Sequence, residues 1–394
     1  MTEKKESSDK SFFYKLPILP TVKCSIVIPV KNEEKYIHRM LSSFVEQKGL
    51  DSKPLDLRTF DILILANNCT DNSVSLIKDF QKTNPDVNIY LEEVTLPPHQ
   101  ANIGYVRREL MDSACRRLCE NGGGIIMTTD GDTTVTLDWI AQTKLEICGG
   151  AEAVGGRILL YENEFAALDN FTQMHHSKDE DYQLLIAEIE GRILDLDFDP
   201  VPRHHQHFNG SFAITTDCYL RSGGVPNVEY LEDCAFFEQL QKKDTKVRHS
   251  DKVLVYTSAR CIGRTEIGLS YQLNLWKKQG NHLEDFFVES ASSIIRKLIQ
   301  KKMLIDLWKI RDHQDSYLLP RIKKILPGIT KRDESYIAFK QCPYFGEWYD
   351  RLKDLKKLDH LESLPPVHID KAILDLQNKI KLYTNYNFSQ TSSL

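Results

Sequence analysis

The run CSIVIPV, from Cys24 to Val30, is apolar, rich in β-branched residues and short, the pattern of a strand covered on both faces. Beyond it Ile37, Met40, Leu41, Phe44 and Val45 fall on one helical face, with Asn32 as N-cap and Glu33 and Glu34 in the first turn. The strand-then-helix unit repeats. FDILILA (60–66) is followed by a cap at Asp71 and a face of Val74, Ile77 and Phe80. VNIYLEE (87–93) is followed by Val106, Leu110, Ala114 and Leu118, and GIIMTTDGD (124–132) runs from a fourth strand into an acidic turn. This alternation predicts an α/β fold, with a mostly parallel sheet flanked by helices on both faces.

After Gly149-Gly150 the pattern changes. EAVGGRILL, FNGSFAITT and KVLVYTSAR are expected strands. Between the first two lies a charged stretch, Tyr161 to Arg203, in which Leu184, Leu185, Glu188, Ile189 and Leu194 suggest a helix. From about Gly280 the spacing is helical: Ile294, Ile295, Leu298, Ile299, Met303, Leu304 and Leu307 face one way, and Lys297, Lys301 and Lys302 the other. The basic face suits either water or a membrane surface; Asp306, Asp312 and Asp315 interrupt it and favour water.

Composition narrows the function classes. The 394 residues are 41% hydrophobic and 27% charged, with 19 Gly and 15 Pro, which excludes collagen-like, low-complexity and disordered chains. A formal charge of -5 argues against a dedicated nucleic-acid binder. Nine cysteines without a C-x-x-C pair suggest free thiols in a reducing compartment, and Cys115 and Cys119 lack the second pair that a zinc site needs. With no secretory signal and no stretch near the roughly eighteen apolar residues of a membrane span, a soluble, cytoplasmic protein is expected.

In an open α/β sheet ligands sit beyond the carboxyl ends of the strands, where this chain carries PVKNEE, NNCTD and TTDGD. Neither G-x-G-x-x-G nor a P-loop is present. Asp130 and Asp132 flank Gly131 at the end of a hydrophobic strand, so both carboxylates project to the same side. Hard oxygen ligands of this kind suit Mg²⁺ or Mn²⁺ bridging to a diphosphate. An isolated D-G-D is more often a plain acidic turn.

The surrounding motifs decide between the two. SIVIPVKNEEKYIHRMLSS, ILILANNCTDNS, IGYVRRELM, IIMTTDGDTTVTLDWI, FNGSFAITTDCYLRSGGV and YLEDCAFFEQL resemble, in order and rough spacing, glycosyltransferase family 2, the inverting nucleotide-sugar transferases of GT-A fold. The resemblance spans about residues 21 to 265. It implies a GT-A catalytic domain over 21–265, with 21–132 binding the nucleotide and 133–265 shaping the acceptor side. An N-terminal tail (1–20) and a helical C-terminal extension (266–394) would complete the chain. The donor would be a nucleotide diphosphate-sugar, most naturally a UDP- or GDP-sugar, and the acceptor a hydroxyl on a glycan, a lipid or a small molecule.

Residue by residue, the resemblance places Pro29, Asn32 and Glu33 near the nucleoside, and Asn68 with Asn67 at the base, where many members carry an acidic residue. Arg107 matches the arginine of an A-R-N element, with Arg108 in place of the asparagine. Asp130 and Asp132 match the D-x-D metal site; Glu232-Asp233 matches the catalytic pair, Asp233 being the base. Inverting transfer needs such a carboxylate to take the acceptor proton, and a cation to offset charge on the leaving diphosphate. Arg260 and, less favourably, Arg264 are candidates for guanidinium help at the diphosphate. His204, His205 and His207 are expected on a flexible loop, solvated or facing the acceptor, and His282 is a weaker candidate for a third metal ligand. Two rival readings are a sugar-1-phosphate nucleotidyltransferase, for which PVKNEE is a poor substitute loop, and a silent GT-A scaffold that binds glycan or protein.

Overall fold

The computed structural model describes residues 12–391 apart from 15, 265–266, 281–284 and 359–363. Four strands alternate with helices in its first third: β1 (Cys24–Val30), α1 (Ile37–Val45), β2 (Phe60–Asn67), α2 (Ser73–Thr83), β3 (Ile89–Val94), α3 (Ile103–Glu120) and β4 (Ile125–Thr129). β3, β2, β1 and β4 lie side by side and parallel. Every residue of β1 and β2 is buried, which is why both read as nearly unbroken apolar runs. Ile26, Ile28, Ile62 and Ile64 point into the core under α1 and α2, whereas Val27, Leu63 and Leu65 point into a second core under α3.

The remaining strands turn the sheet mixed. β5 (Thr134–Val135), α4 (Trp139–Cys148), β6 (Ala153–Leu160), α5 (Glu162–Ala166), α6 (Asn170–Leu194), β7 (Ser211–Thr215), α7 (Thr216–Ser222), α8 (Glu232–Lys242) and β8 (Val247–Thr257) follow. The eight strands run in the order β3-β2-β1-β4-β7-β6-β8-β5. β7 is antiparallel to both β4 and β6, and β8 is parallel to β6. The carboxyl ends of β1, β2, β4 and β8 and the amino end of β7 therefore share one edge of the sheet.

Beyond the sheet come α9 (Leu269–Gln279), β9 (Phe287–Val288), α10 (Ala291–Lys309), α11 (Asp315–Ile325), α12 (Glu334–Gln341), α13 (Phe345–Asp354), β10 (Val367–His368) and α14 (Ile369–Thr391). Trp348, Phe339, Leu318 and Ile322 centre one cluster among these helices. A second joins Ile294 and Leu298 of α10 and Ile369, Ala372 and Leu376 of α14 to Ile189 and Ile193 of α6. The lysine-bearing helix α10 is thus packed on its apolar face, with Lys297 paired to Glu289 and Lys301 lying 3.6 Å from Glu190. Ile299 and Met303 remain exposed.

Two local expectations need correction, and one is met. Asn32 does not cap α1: its φ is +58°, its side chain accepts from the Thr70 amide at 2.7 Å, and the helix begins five residues later behind Tyr36. The helix expected in the charged stretch after Tyr161 is present as α6, 25 residues long. The histidine loop is not solvated. His204 is fully buried, with Nε2 against the Ser250 carbonyl and Nδ1 accepting from the Gln206 amide, and His207 stacks on Phe237 with ring centroids 3.6 Å apart. Burial holds His205 down to about 4 and His207 to about 3, so both are neutral at pH 7. All nine cysteines are free; the Cys115 and Cys119 sulfurs are 4.0 Å apart.

Candidate active site

Two turns are laced together at the shared edge. In the Lys31–Glu34 turn after β1 the Glu33 amide donates to Ser73 Oγ at 2.7 Å and the Glu34 amide donates to Asp71 at 3.0 Å. Asp71 also accepts from the Ser73 amide, so it organises the start of α2 from just outside the helix. Asn68 is absorbed by the same framework. Its side-chain amide both donates to and accepts from the backbone of Leu96, at 3.0 and 3.2 Å. Pro29 is likewise buried within β1.

The D-G-D turn packs directly on the first of these turns. A Cβ at Gly131 would sit 3.1 Å from Cγ of Glu33 and 3.3 Å from the Pro29 carbonyl, so glycine permits the close approach. Asp132 is 6% exposed. Its carboxylate accepts from Ser258 Oγ, lies 3.1 Å from Arg260 Nη2, and has the Thr133 and Thr257 hydroxyls at 3.4 Å. Arg260 also forks onto Glu33, at 2.9 and 2.7 Å, and Arg264 caps the Lys31 carbonyl at 3.0 Å. Burial raises the pKa of both Glu33 and Asp132, and the guanidinium of Arg260 only partly offsets it.

Arg107 performs the corresponding task on the other side. Carried by α3 and 2% exposed, it donates to Thr128 Oγ1, to the Thr129 carbonyl at 3.0 Å and to Asp130, and its Nε lies 3.9 Å from Glu232. It acts on the site by fixing carboxylates, from beneath them. Asp130 itself is 40% exposed. Glu232 is buried and accepts from Asn209 at 3.3 Å, whereas Asp233 is half-buried and accepts from the Cys234 amide at 2.8 Å. Burial raises the pKa of each, with Arg107 opposing the shift; for Asp233 the charge of Asp130 adds to it.

The sequence-predicted residues therefore form one constellation: Glu33, Asp132 and Arg260 on one flank, Asp130, Glu232, Asp233 and Arg107 on the other. Residues that the sequence did not signal hold it. Ser258 and Asn209 are polar residues in ordinary strand-end positions. Glu164, on α5, accepts from the Tyr36 hydroxyl at 3.1 Å and from the Ala259 amide at 3.0 Å, fixing the backbone beside Arg260. Its signal is absent because its partners lie about a hundred residues away on either side. His204 is taken up in the core, His207 is half-buried against Phe237, and His282 lies outside the described residues.

Among the described residues no group of three or more His, Cys, Asp or Glu side chains is arranged to hold a metal. Asp130 and Asp132 still supply hard oxygen donors in a carboxylate-rich corner, a donor set that fits Mg²⁺ or Mn²⁺ completing its shell with water and phosphate.

Comparison with known proteins gives a family match over part of the chain: residues 25–185 match Glycosyl transferase family 2. The mostly parallel sheet flanked by helices that the sequence predicts is present, with β7 antiparallel to its neighbours. Among solved structures, the chain is similar to the mannosyltransferase PcManGT of Pyrobaculum calidifontis, in complex with GDP-Man and Mn²⁺. The identity is 14%, 96% of this chain and 86% of that one are covered, and the TM-score is 0.43. It is also similar to S. aureus TarS 1-349 in complex with UDP-GlcNAc, at 12% identity, with 86% and 90% covered and a TM-score of 0.42. A search of curated protein sequences gives no match. Among the described residues no helix is long and apolar enough to cross a membrane.

Proposed function

From the match of residues 25–185 to glycosyl transferase family 2 we propose that this protein transfers a sugar, with inversion, from a nucleotide diphosphate-sugar to a hydroxyl acceptor. The observation that carries the reading is the meeting, at one sheet edge, of the Asp130–Asp132 pair with Asp233. Asp233 is the base. With its pKa raised by burial, it is a stronger base than a free carboxylate and suited to take the acceptor proton as the oxygen attacks the anomeric carbon. Arg107 keeps Asp130 and Glu232 oriented, and Arg260 is the guanidinium nearest to where a leaving diphosphate would lie beside Asp132. Asp130 and Asp132 would hold Mg²⁺ or Mn²⁺, which when bound offsets charge on the leaving group.

Calorimetric titration of UDP- and GDP-sugars with Mn²⁺ tests the proposal. Wild type should bind one of them, Asp132→Ala should lose the Mn²⁺-dependent part, and undiminished metal-dependent binding in that variant would overturn the metal assignment. Asp233→Asn should keep donor affinity while turnover drops by about 10²–10⁴-fold, because a general base acts in the transition state. An equal loss of binding and rate would remove Asp233 from the chemistry.

A further inference from the structure

Charge is divided unevenly along the chain. Residues 1–290 carry 32 basic and 44 acidic side chains, a net of -12, whereas residues 291–358, which build α10 to α13, carry 16 and 8, a net of +8. Asymmetry of this kind within one chain points to a polyanionic partner for the basic part. We propose that the α10–α13 portion docks the protein onto an anionic lipid bilayer through the exposed basic and aromatic face of α11. The proposal goes beyond the transferase reading and does not depend on it.

The positive charge left to act on a partner lies on α11 and not on α10. The four lysines of α10 each have a carboxylate within reach: Lys297 has Glu289, Lys301 has Glu190, and Lys302 and Lys309 share Asp306. At the start of α11, Asp315 is taken up by Lys331 at 3.0 Å and by the Tyr336 hydroxyl at 2.6 Å. Arg321, Lys323 and Lys324 are exposed, and among the described residues no carboxylate lies within 4.0 Å of them. Each such uncompensated charge strengthens attachment to an anionic membrane roughly fivefold.

The face has an ordered surface. Leu318, Ile322 and Ile325 bury one side of α11. Tyr317, Arg321 and Lys324 recur at i, i+4 and i+7, so they form a stripe along the side in water. The Tyr317 ring is 43% exposed; it stacks on His313 with centroids 5.3 Å apart, and the Arg321 guanidinium lies 3.5 Å from its centroid. An aromatic ring with a polar tip suits the boundary between lipid and water, and arginine and lysine stems lie along apolar surface while their heads reach phosphate.

Nucleic acid also presents phosphates, and two observations favour the bilayer over it. On α12 the apolar Ile337 is 43% exposed, one turn before Lys340, whose ammonium reaches the His313 carbonyl at 3.4 Å. Apolar side chains beside a basic stripe gain from a lipid interface and little from a phosphate backbone. A bilayer is also met by one face alone, so the attraction turns the basic portion toward it and the acidic remainder away.

The test is cosedimentation of the full chain with vesicles of phosphatidylcholine, alone or with about 30% phosphatidylglycerol. Binding should be confined to the anionic vesicles and should fall at least about tenfold between roughly 50 and 300 mM salt. Arg321→Gln combined with Lys324→Gln should weaken it roughly 25-fold, the product of two fivefold losses. Lys379→Gln combined with Lys381→Gln, which removes the same charge from exposed positions on α14, should change it by less than about twofold. No binding to anionic vesicles, equal binding to neutral ones, or equal loss in the two double variants overturns the proposal. A fluorescent DNA duplex is titrated at the same salt; duplex binding tighter than vesicle binding and lost with Arg321 and Lys324 would replace the bilayer by nucleic acid.

Discussion

Asp132 and Glu33 share the single guanidinium of Arg260, and both remain harder to ionise than free carboxyls. Taking Arg260 away should expose how much of that balance it carries. Arg260→Met keeps the stem but leaves two buried carboxyls unpaired, and should lower stability by roughly 2–3 kcal/mol at pH 7, less than for a fully buried pair. The sign of the pH dependence follows. A carboxyl whose folded pKa is raised binds protons in the folded state before the unfolded one, so stability rises as pH falls toward about 4. The deficit of the variant should therefore shrink from pH 7 to pH 5 in urea titrations; a constant deficit would mean that Arg260 acts through packing. The sequence singled out Asp130, Asp132 and Asp233, and Arg107 and Asn68 with them; what it could not show is the set of partners that hold the last two, Thr128 to Asp130 and Leu96, which only the fold brings near.

At the scale of elements, the Glu232–Asp233 pair is positioned by contact between a helix and a loop. A Cβ at Gly104, in the first turn of α3, would lie 1.9 Å from the Val228 carbonyl, in the segment that leads into α8 and hence into Glu232 and Asp233. Gly104→Ala should push that segment outward. The expected result is a loss of about 2–3 kcal/mol and a fall in turnover larger than any fall in donor affinity, measured by thermal unfolding and initial rates. Unchanged kinetics would show that the loop yields without moving α8. The strand-and-helix units of the first third were readable because strands covered on both faces leave apolar runs. The antiparallel placement of β7 and the start of α6 were not, since a strand's direction leaves no periodic trace and the first half of α6, from Asn170 to Gln183, is mostly polar.

For the molecule as a whole, the C-terminal helices are tied to the sheet portion at several places, two of which bear on stability. Asp244, just past α8, accepts from the amides of Phe345 and Gly346 at 2.7 Å each, anchoring the start of α13. α14 and α10 cover the apolar side of α6. A chain ending before Val367 should accordingly expose Ile189 and Ile193, bind an apolar dye and aggregate on gentle warming; a monomeric, cooperative melt would refute the dependence. The sequence separated a motif-bearing part from a helical remainder, but could not reveal that α6 is shared between them, because a shared face looks like any other apolar stripe.

That shared face also sets a timetable. During synthesis Leu194 leaves the ribosome roughly 170 residues ahead of Ile369, an interval on the order of ten to thirty seconds at about 5–20 residues per second. Throughout it, the stripe of α6 that α14 will cover has no native cover, and the nascent chain is open to chaperones and to other nascent copies until its last helix arrives.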